Sequence, residues 1–145
     1  MKPSTTLRRV LVANLPARGN CRVEVPDEEA THMAGALRLR EGDSIEVIDG
    51  EGSYAPARLA FERKKVWAEV GPVTRVNESL LPLVLETAVL KGDAMDWLVE
   101  KCVELGVPRL IPLTTAHTVV RIQDRKGPEA FRERWQRIAD QALKQ

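Results

Sequence analysis

The sequence predicts an α+β protein of two domains, a small β-barrel over residues 1–72 followed by an α/β unit over residues 73–145. Short β-prone runs dominate the first half, the pattern changes after Gly71-Pro72, and a strand–helix–strand order follows. Hydrophobic residues make up 43% of the chain and charged residues 30%, which favours a soluble globular protein over a disordered one.

The first half combines β-prone runs with one helix. Acidic residues after Pro26 open a predicted helix from about Glu28 to Ala36, because negative charge is favoured in the first turn. Asp49-Gly50-Glu51-Gly52 predicts the turn between two strands, since glycine tolerates positive φ. Several short strands at close spacing with one helix predict a small barrel. The predicted strands are Leu7–Val12, Cys21–Val25, Ser44–Gly50, Ser53–Phe61 and Lys65–Val70.

The second half predicts a βαβ unit. After an irregular stretch over Val73–Leu81, Leu83–Leu90 is nearly continuous in apolar residues, as in a strand buried on both faces. Asp93 is the predicted N-cap of a helix that ends at Gly106. A second strand over Arg109–Leu113 completes the unit. The apolar stripe of the helix is Met95, Leu98, Val99, Cys102 and Leu105.

A last helix starts at Gly127-Pro128-Glu129 and is still open at Gln145, without a capping signal. Its apolar stripe is Phe131, Trp135, Ile138 and Ala142. One βαβ unit with one more helix leaves most of a parallel sheet unbuilt. We therefore expect the natural domain to continue beyond residue 145; an uncapped tail, or a partner that supplies the remaining strands, are the alternatives.

Composition bounds the possible partners. The net charge is +1, with 11 basic and 11 acidic residues in 1–73 and 11 and 10 in the rest, so nucleic acid would have to bind through local basic patches. No apolar run approaches the ~20 residues that cross a bilayer, and no signal peptide follows Met1, so we expect a cytoplasmic protein without membrane contact. Cys21 and Cys102 are expected to be structural thiols, and no metal site is expected.

Three segments resemble a known family in their order and spacing. They are His32–Gly50, then Lys91–Val107 with Ile111-Pro112-Leu113, and Arg134–Ala139. Together they resemble the 16S ribosomal RNA (uracil-N3)-methyltransferases over about Leu7–Gln145. That family joins a PUA-like barrel to a SPOUT-type methyltransferase domain with a trefoil knot.

The resemblance implies S-adenosylmethionine (SAM) as the cofactor of the full-length protein, uridine N3 in 16S rRNA of the small ribosomal subunit as methyl acceptor, and a homodimer. Thr115-Ala116-His117 departs from the Ser-Glu-Arg-like stretch that the family often has. The family's glycine-rich segments that hold the cofactor are absent from the sequence. Catalytic and cofactor-binding residues are therefore expected beyond residue 145, and this chain alone is expected to hold no cofactor and to be inactive.

Seven basic residues are candidates for RNA contact. Guanidinium groups suit phosphate oxygens, and on a strand-like segment Arg38 and Arg40 would face one side. Lys91 lies where a predicted strand ends, which is where open α/β sheets place ligands. Solvated surface residues are the alternative for each, and Lys101 is expected to pair with Glu100 and Glu104. The candidates are Arg8, Arg9, His32, Arg38, Arg40, Lys91 and Lys101.

Two other functions remain open. A non-catalytic RNA-binding barrel would need only the first half. A hydrolase built on His117 with Thr114 or Thr115 is weaker, because no oriented acid or nucleophile turn accompanies these residues. Trp97 and Trp135 are interpreted as packing or dimer-interface residues.

Overall fold

The computed structural model describes residues 8–35, 37–63, 65–76, 83–122 and 127–145. The chain folds into two compact units, which separate between residues 76 and 83. Each unit has its own sheet.

The first unit is a mixed six-stranded sheet with one helix. Five strands follow the order β1-β3-β4-β5-β2, and β6 pairs with β4. Only the β1–β3 pair is parallel among the described strands of this unit. The described pairs do not join β1 to β2, so the closed barrel stays a prediction. The elements are β1 (Arg8–Leu11), β2 (Cys21–Glu24), α1 (Asp27–Gly35), β3 (Ser44–Ile48), β4 (Ser53–Glu62), β5 (Lys65–Val70) and β6 (Thr74–Arg75).

Alternation along the strands builds the core of this unit. In β5, Val66, Ala68 and Val70 are buried, whereas Trp67 and Glu69 lie on the outer face, as the sequence predicts. Met33 is the buried side chain of α1 and fastens the helix to the same core. The backbone at Gly19 passes close to Gly71 and requires a glycine. Its φ is +57°, and a Cβ there would lie 2.4 Å from the Gly71 carbonyl oxygen.

The second unit is a βαβ unit followed by a helix. Its elements are β7 (Val84–Ala88), α2 (Asp93–Glu104), β8 (Arg109–Leu113) and α3 (Gly127–Leu143). β7 and β8 pair in parallel, which confirms the predicted βαβ order. α2 packs against α3, and Met95, Val99 and Cys102 are buried.

Four sequence expectations are wrong in detail. β6 lies in the stretch expected to be irregular. The N-cap of α2 is Gly92, with φ 63°, and no side chain caps the helix, so Asp93 belongs to the first turn. Leu105 is 81% exposed, because the helix ends before it completes the stripe. β7 is half-exposed rather than buried on both faces, since β8 is its only strand partner among the described residues.

Candidate functional site

Chain topology brings two loops to one edge of the second sheet. Because β7 and β8 are parallel, their carboxyl ends lie at the same edge, where open α/β sheets bind ligands. Lys91 and Gly92 follow β7 there, and α2 begins at the next residue. Residues 119–121 follow β8.

A cavity of about 570 Å³ opens at this edge, and we call it the strand-end cavity. Its polar lining includes Lys91, Asp93, Asp96, Arg121 and Arg134, and its apolar lining includes Phe131 and Trp135. The two aromatic rings lie 5.6 Å apart between centroids and are tilted by 46°. Mixed cationic and aromatic linings of this kind suit a nucleotide, which offers both a phosphate and a base to stack.

The Asp96–Arg134 ion pair holds the cavity together. Arg134 Nη2 donates a hydrogen bond to Asp96 Oδ2, joining the first turn of α2 to α3. This hydrogen bond and the charge of Asp96 raise the pKa of Arg134 above its ordinary value. The guanidinium is therefore a fixed positive charge beside the two rings.

Lys91 has a different environment from Lys101. The Lys91 side chain is exposed and makes no hydrogen bond or ion pair with the described residues, so its ammonium is available to a phosphate. Lys101 Nζ lies 2.9 Å from Glu100 Oε1 and 2.8 Å from Glu104 Oε1, which confirms the expected pairs. The hydrogen bonds that Lys101 donates to Glu104 and then to Glu100 raise its pKa. A phosphate would have to compete with both carboxylates, and this weighs against Lys101 as an RNA ligand.

The arginines of β1 are separated by the alternation of the strand. Arg8 pairs in register with Ile45, which is buried, and Arg9 with Glu46. Arg9 and Arg8 therefore point to opposite faces. Arg9 Nε donates to Glu46 Oε1 at 2.8 Å, and this ion pair leaves Arg8 the less encumbered of the two among the described residues.

Three candidates lie in α1 and in the segment that follows it. His32 is in the last turn of α1, Arg38 and Arg40 come after the helix, and all three are exposed. The expected strand-like backbone is wrong: Arg38 has φ 51°, and no strand forms before Ser44 in the described part of this segment, because Leu39 N–H donates back to the Met33 carbonyl at 3.0 Å. Leu37 and Leu39 nevertheless pack against the core, while Arg38 and Arg40 are exposed.

Sequence reasoning missed Arg22. On β2, Arg22 Nη1 lies 2.6 Å from Glu62 Oε1, and its guanidinium lies over the Trp67 ring, 5.4 Å from the centroid. The polar–apolar alternation of Cys21–Val25 placed Arg22 on the outer face, but its partners are on other strands. The Asp96–Arg134 pair was missed for the same reason, since 38 residues separate its members.

Other chemistries find no support in the described part of the chain. His117 is exposed and its loop is closed by hydroxyl contacts between Thr115 and Thr118, with no carboxylate oriented on the histidine among the described residues. The described residues contain no group of three or more potential metal ligands. No described helix combines the length and the apolar character that a membrane span needs.

Comparisons with known proteins identify both halves of the chain. The model of an RNA methyltransferase PUA domain matches residues 25–71, and the model of an RNA methyltransferase domain matches residues 77–145. Both halves of the chain are thus similar to domains of RNA methyltransferases.

The relatives narrow the similarity further. The chain is 32% identical over 123 residues to the ribosomal RNA small subunit methyltransferase E of Bacillus subtilis, a match of 83% of this chain and 48% of the relative. It is 32% identical over 114 residues to the enzyme of the same name from Synechocystis, covering 79% and 36%. The chain thus spans about half the length of the curated relatives it matches, or less.

Solved structures give the same similarity. The ribosomal RNA small subunit methyltransferase E of Neisseria gonorrhoeae, bound to SAM, superposes with a TM-score of 0.81 at 30% identity, over 95% of this chain and 57% of that one. A Legionella pneumophila protein in complex with SAM superposes with a TM-score of 0.79 at 25% identity, with the same coverage.

Proposed function

We propose that this protein transfers the methyl group of SAM to N3 of a uridine in 16S rRNA. The observation that carries the proposal is that both halves of the chain match domains of one RNA methyltransferase family, whose relatives are named for the small ribosomal subunit. A non-catalytic RNA-binding barrel is not favoured, because residues 77–145 match the methyltransferase domain itself.

We assign residues 1–72 to RNA binding and residues 73–145 to the first part of a SPOUT methyltransferase domain. The family matches over 25–71 and 77–145 and the two compact units support this division. The trefoil knot, the homodimer and a cytoplasmic location belong to the same proposal. The parallel β7–β8 pair suits a SPOUT sheet, and an rRNA substrate suits the cytoplasm.

The strand-end cavity is the proposed substrate side of the reaction. Lys91 would bind an RNA phosphate there. A base of the RNA would stack against the side of the cavity that Phe131 and Trp135 line. Holding the acceptor nitrogen in line with the donor is the main effect that such a site contributes. Arg8, together with His32 in α1 and with Arg38 and Arg40 after that helix, would position the RNA from the first unit.

SAM supplies the methyl group as a sulfonium. The cofactor carries a positive charge at sulfur, whereas Lys91 brings to the strand-end cavity a cation that is unpaired among the described residues, and the Asp96 carboxylate is already held by Arg134. No glycine-rich loop lies beside the cavity in the described part of the chain. These residues do not fit the cofactor. We therefore assign no SAM contact, and no catalytic base for the N3 proton, to the described residues.

Methyl transfer in vitro tests the proposal. The product of the intact gene is incubated with labelled SAM and small subunits from a strain that lacks the gene. We expect label in 16S rRNA and a single stop in reverse transcription, because an N3-methyl group blocks Watson–Crick pairing of uridine. Label at a carbon or ribose position, or none in either free rRNA or the subunit, would contradict the proposal.

A further inference from the structure

The outer face of the first sheet carries a groove that the proposed function does not use. The groove has a volume of about 750 Å³ and crosses β3, β4, β5 and β2. We call it the outer-sheet groove. Its polar side chains and its backbone floor come from Asn20, Arg22, Ser44, Arg58, Glu69 and Gly71.

Strand register sets a row of charges across this groove. Ser44 lies opposite Arg58, Arg58 opposite Glu69, and Glu69 opposite Arg22. All four residues are exposed, as expected for positions on the outer face. Neighbouring strands lie about 4.8 Å apart, so one carboxylate is placed between two guanidinium-bearing residues.

The two arginines are held by other groups. Arg58 Nη1 donates to the Gly42 carbonyl oxygen at 3.1 Å. Arg22 donates to Glu62 at 2.6 Å and covers the Trp67 ring. Because of these contacts, neither guanidinium forms an ion pair with the Glu69 carboxylate that lies between them.

Glu69 is consequently an open acceptor. It makes no hydrogen bond or ion pair within the described part of the chain, although two cations flank it. A bare phosphate is a poor ligand for this row, because the carboxylate repels it. The complementary ligand carries hydrogen-bond donors at its centre and negative charge at its flanks.

We propose that the outer-sheet groove binds a guanine within single-stranded RNA. Guanine is the one RNA base whose Watson–Crick edge presents two adjacent donors, N1–H and the N2 amine, and these match the two oxygens of Glu69. Arg58, which donates to the neutral Gly42 carbonyl oxygen, can turn to a phosphate beside the base, whereas Arg22 stays paired with Glu62. This inference rests on the proposed function in that the protein acts on RNA, and it adds a sequence preference outside the strand-end cavity.

Fluorescence anisotropy with labelled oligoribonucleotides tests the inference on the 145-residue chain without SAM. The probes are nine-residue oligouridines with guanosine, inosine or uridine at the centre. We expect the guanosine probe to bind about tenfold more tightly than the uridine probe, in the range of a bidentate base contact. Inosine lacks the N2 amine and should lose most of that preference. Equal affinity for guanosine and inosine would overturn the proposal.

A matched pair of variants repeats the test from the protein side. Glu69→Gln replaces one acceptor oxygen by a donor and should remove the guanosine preference, while Glu51→Gln, an exposed glutamate of the β3–β4 turn, should keep it. A preference that survives Glu69→Gln, or that Glu51→Gln also removes, would overturn the assignment. Because the inosine probe alters only the RNA, the proposal stays testable if Glu69→Gln fails to fold.

Failure here and failure of the proposed function can be told apart. The guanine preference is measured as a ratio of affinities and needs no methyl transfer. Methylation of 16S rRNA without a guanosine preference would refute only the outer-sheet groove. A guanosine preference without methylation would refute only the proposed reaction.

Discussion

Replacing Met33 by alanine should detach α1 from the first unit. The side chain is 1% exposed and is the buried residue of the helix, so α1 has one main apolar anchor. Truncating a buried methionine to alanine costs about 2–5 kcal/mol, from lost transfer free energy and the cavity left behind. A loss of about 3 kcal/mol changes the unfolding equilibrium more than a hundredfold, out of a total stability of about 5–15 kcal/mol.

Urea unfolding measures this effect. With Trp97 and Trp135 replaced by phenylalanine in parent and variants, the remaining Trp67 reports on the first unit. At a slope of about 1–1.5 kcal/mol per molar urea, the midpoint should fall by about 2 M for Met33→Ala. Thr31→Ala, an exposed position on the same helix, should stay within about 0.5 kcal/mol of the parent. A loss below about 1 kcal/mol for Met33→Ala, or equal losses in both variants, would refute the anchoring role.

Three further predictions concern charge and reactivity. Lys91→Ala should weaken RNA binding about threefold to tenfold and reduce the slope of log affinity against log salt concentration by about one. Lys101→Ala should change the affinity less than about twofold, because Lys101 is paired with two carboxylates. Equal effects of the two variants in a salt titration would contradict this difference between the two lysines. Burial raises the pKa of Asp49, but hydrogen bonds from Ser53 and Glu51 outweigh it and lower that pKa below 3.8. The stabilisation by the Asp49 carboxylate is therefore present above pH 3.8 and is lost as the pH falls through the lower folded-state pKa. The difference in urea midpoint between the parent and Asp49→Ala should shrink below about pH 4. A difference that does not depend on pH would count against this role of Asp49. Burial raises the pKa of the Cys102 thiol, so iodoacetamide at pH 8 should alkylate the half-buried Cys21 first, as read by peptide mass spectrometry, and comparable rates would argue against the described packing.

Local pattern predicted most elements of the fold, and its failures have physical causes. Alternation and turn residues gave the strands of the first unit and the βαβ order, since both depend on neighbours in sequence. Arg38 was expected on an extended segment, but a hydrogen bond from Leu39 back to Met33 turns the chain there. Asp93 carries the chemistry of an N-cap, yet the glycine before it takes that position.

The sequence predicted those parts of the candidate site that depend on a single residue or on neighbours within one helix. Lys91 could be placed because a strand end is visible in the sequence. The Asp96–Arg134 pair, the Arg22–Trp67 contact and the charge row beside Glu69 depend on strand and helix pairing, which no local pattern encodes. The expected pairs of Lys101 lie within one helix and were therefore within reach of sequence reasoning.

Nucleoside analysis of 16S rRNA tests the central claim most directly. The small-subunit rRNA is purified from cells with and without the gene, digested to nucleosides and analysed by mass spectrometry. We predict that N3-methyluridine disappears on deletion and returns when the intact gene is restored. An unchanged N3-methyluridine content after deletion would contradict the assignment of this protein as a uridine N3 methyltransferase of 16S rRNA.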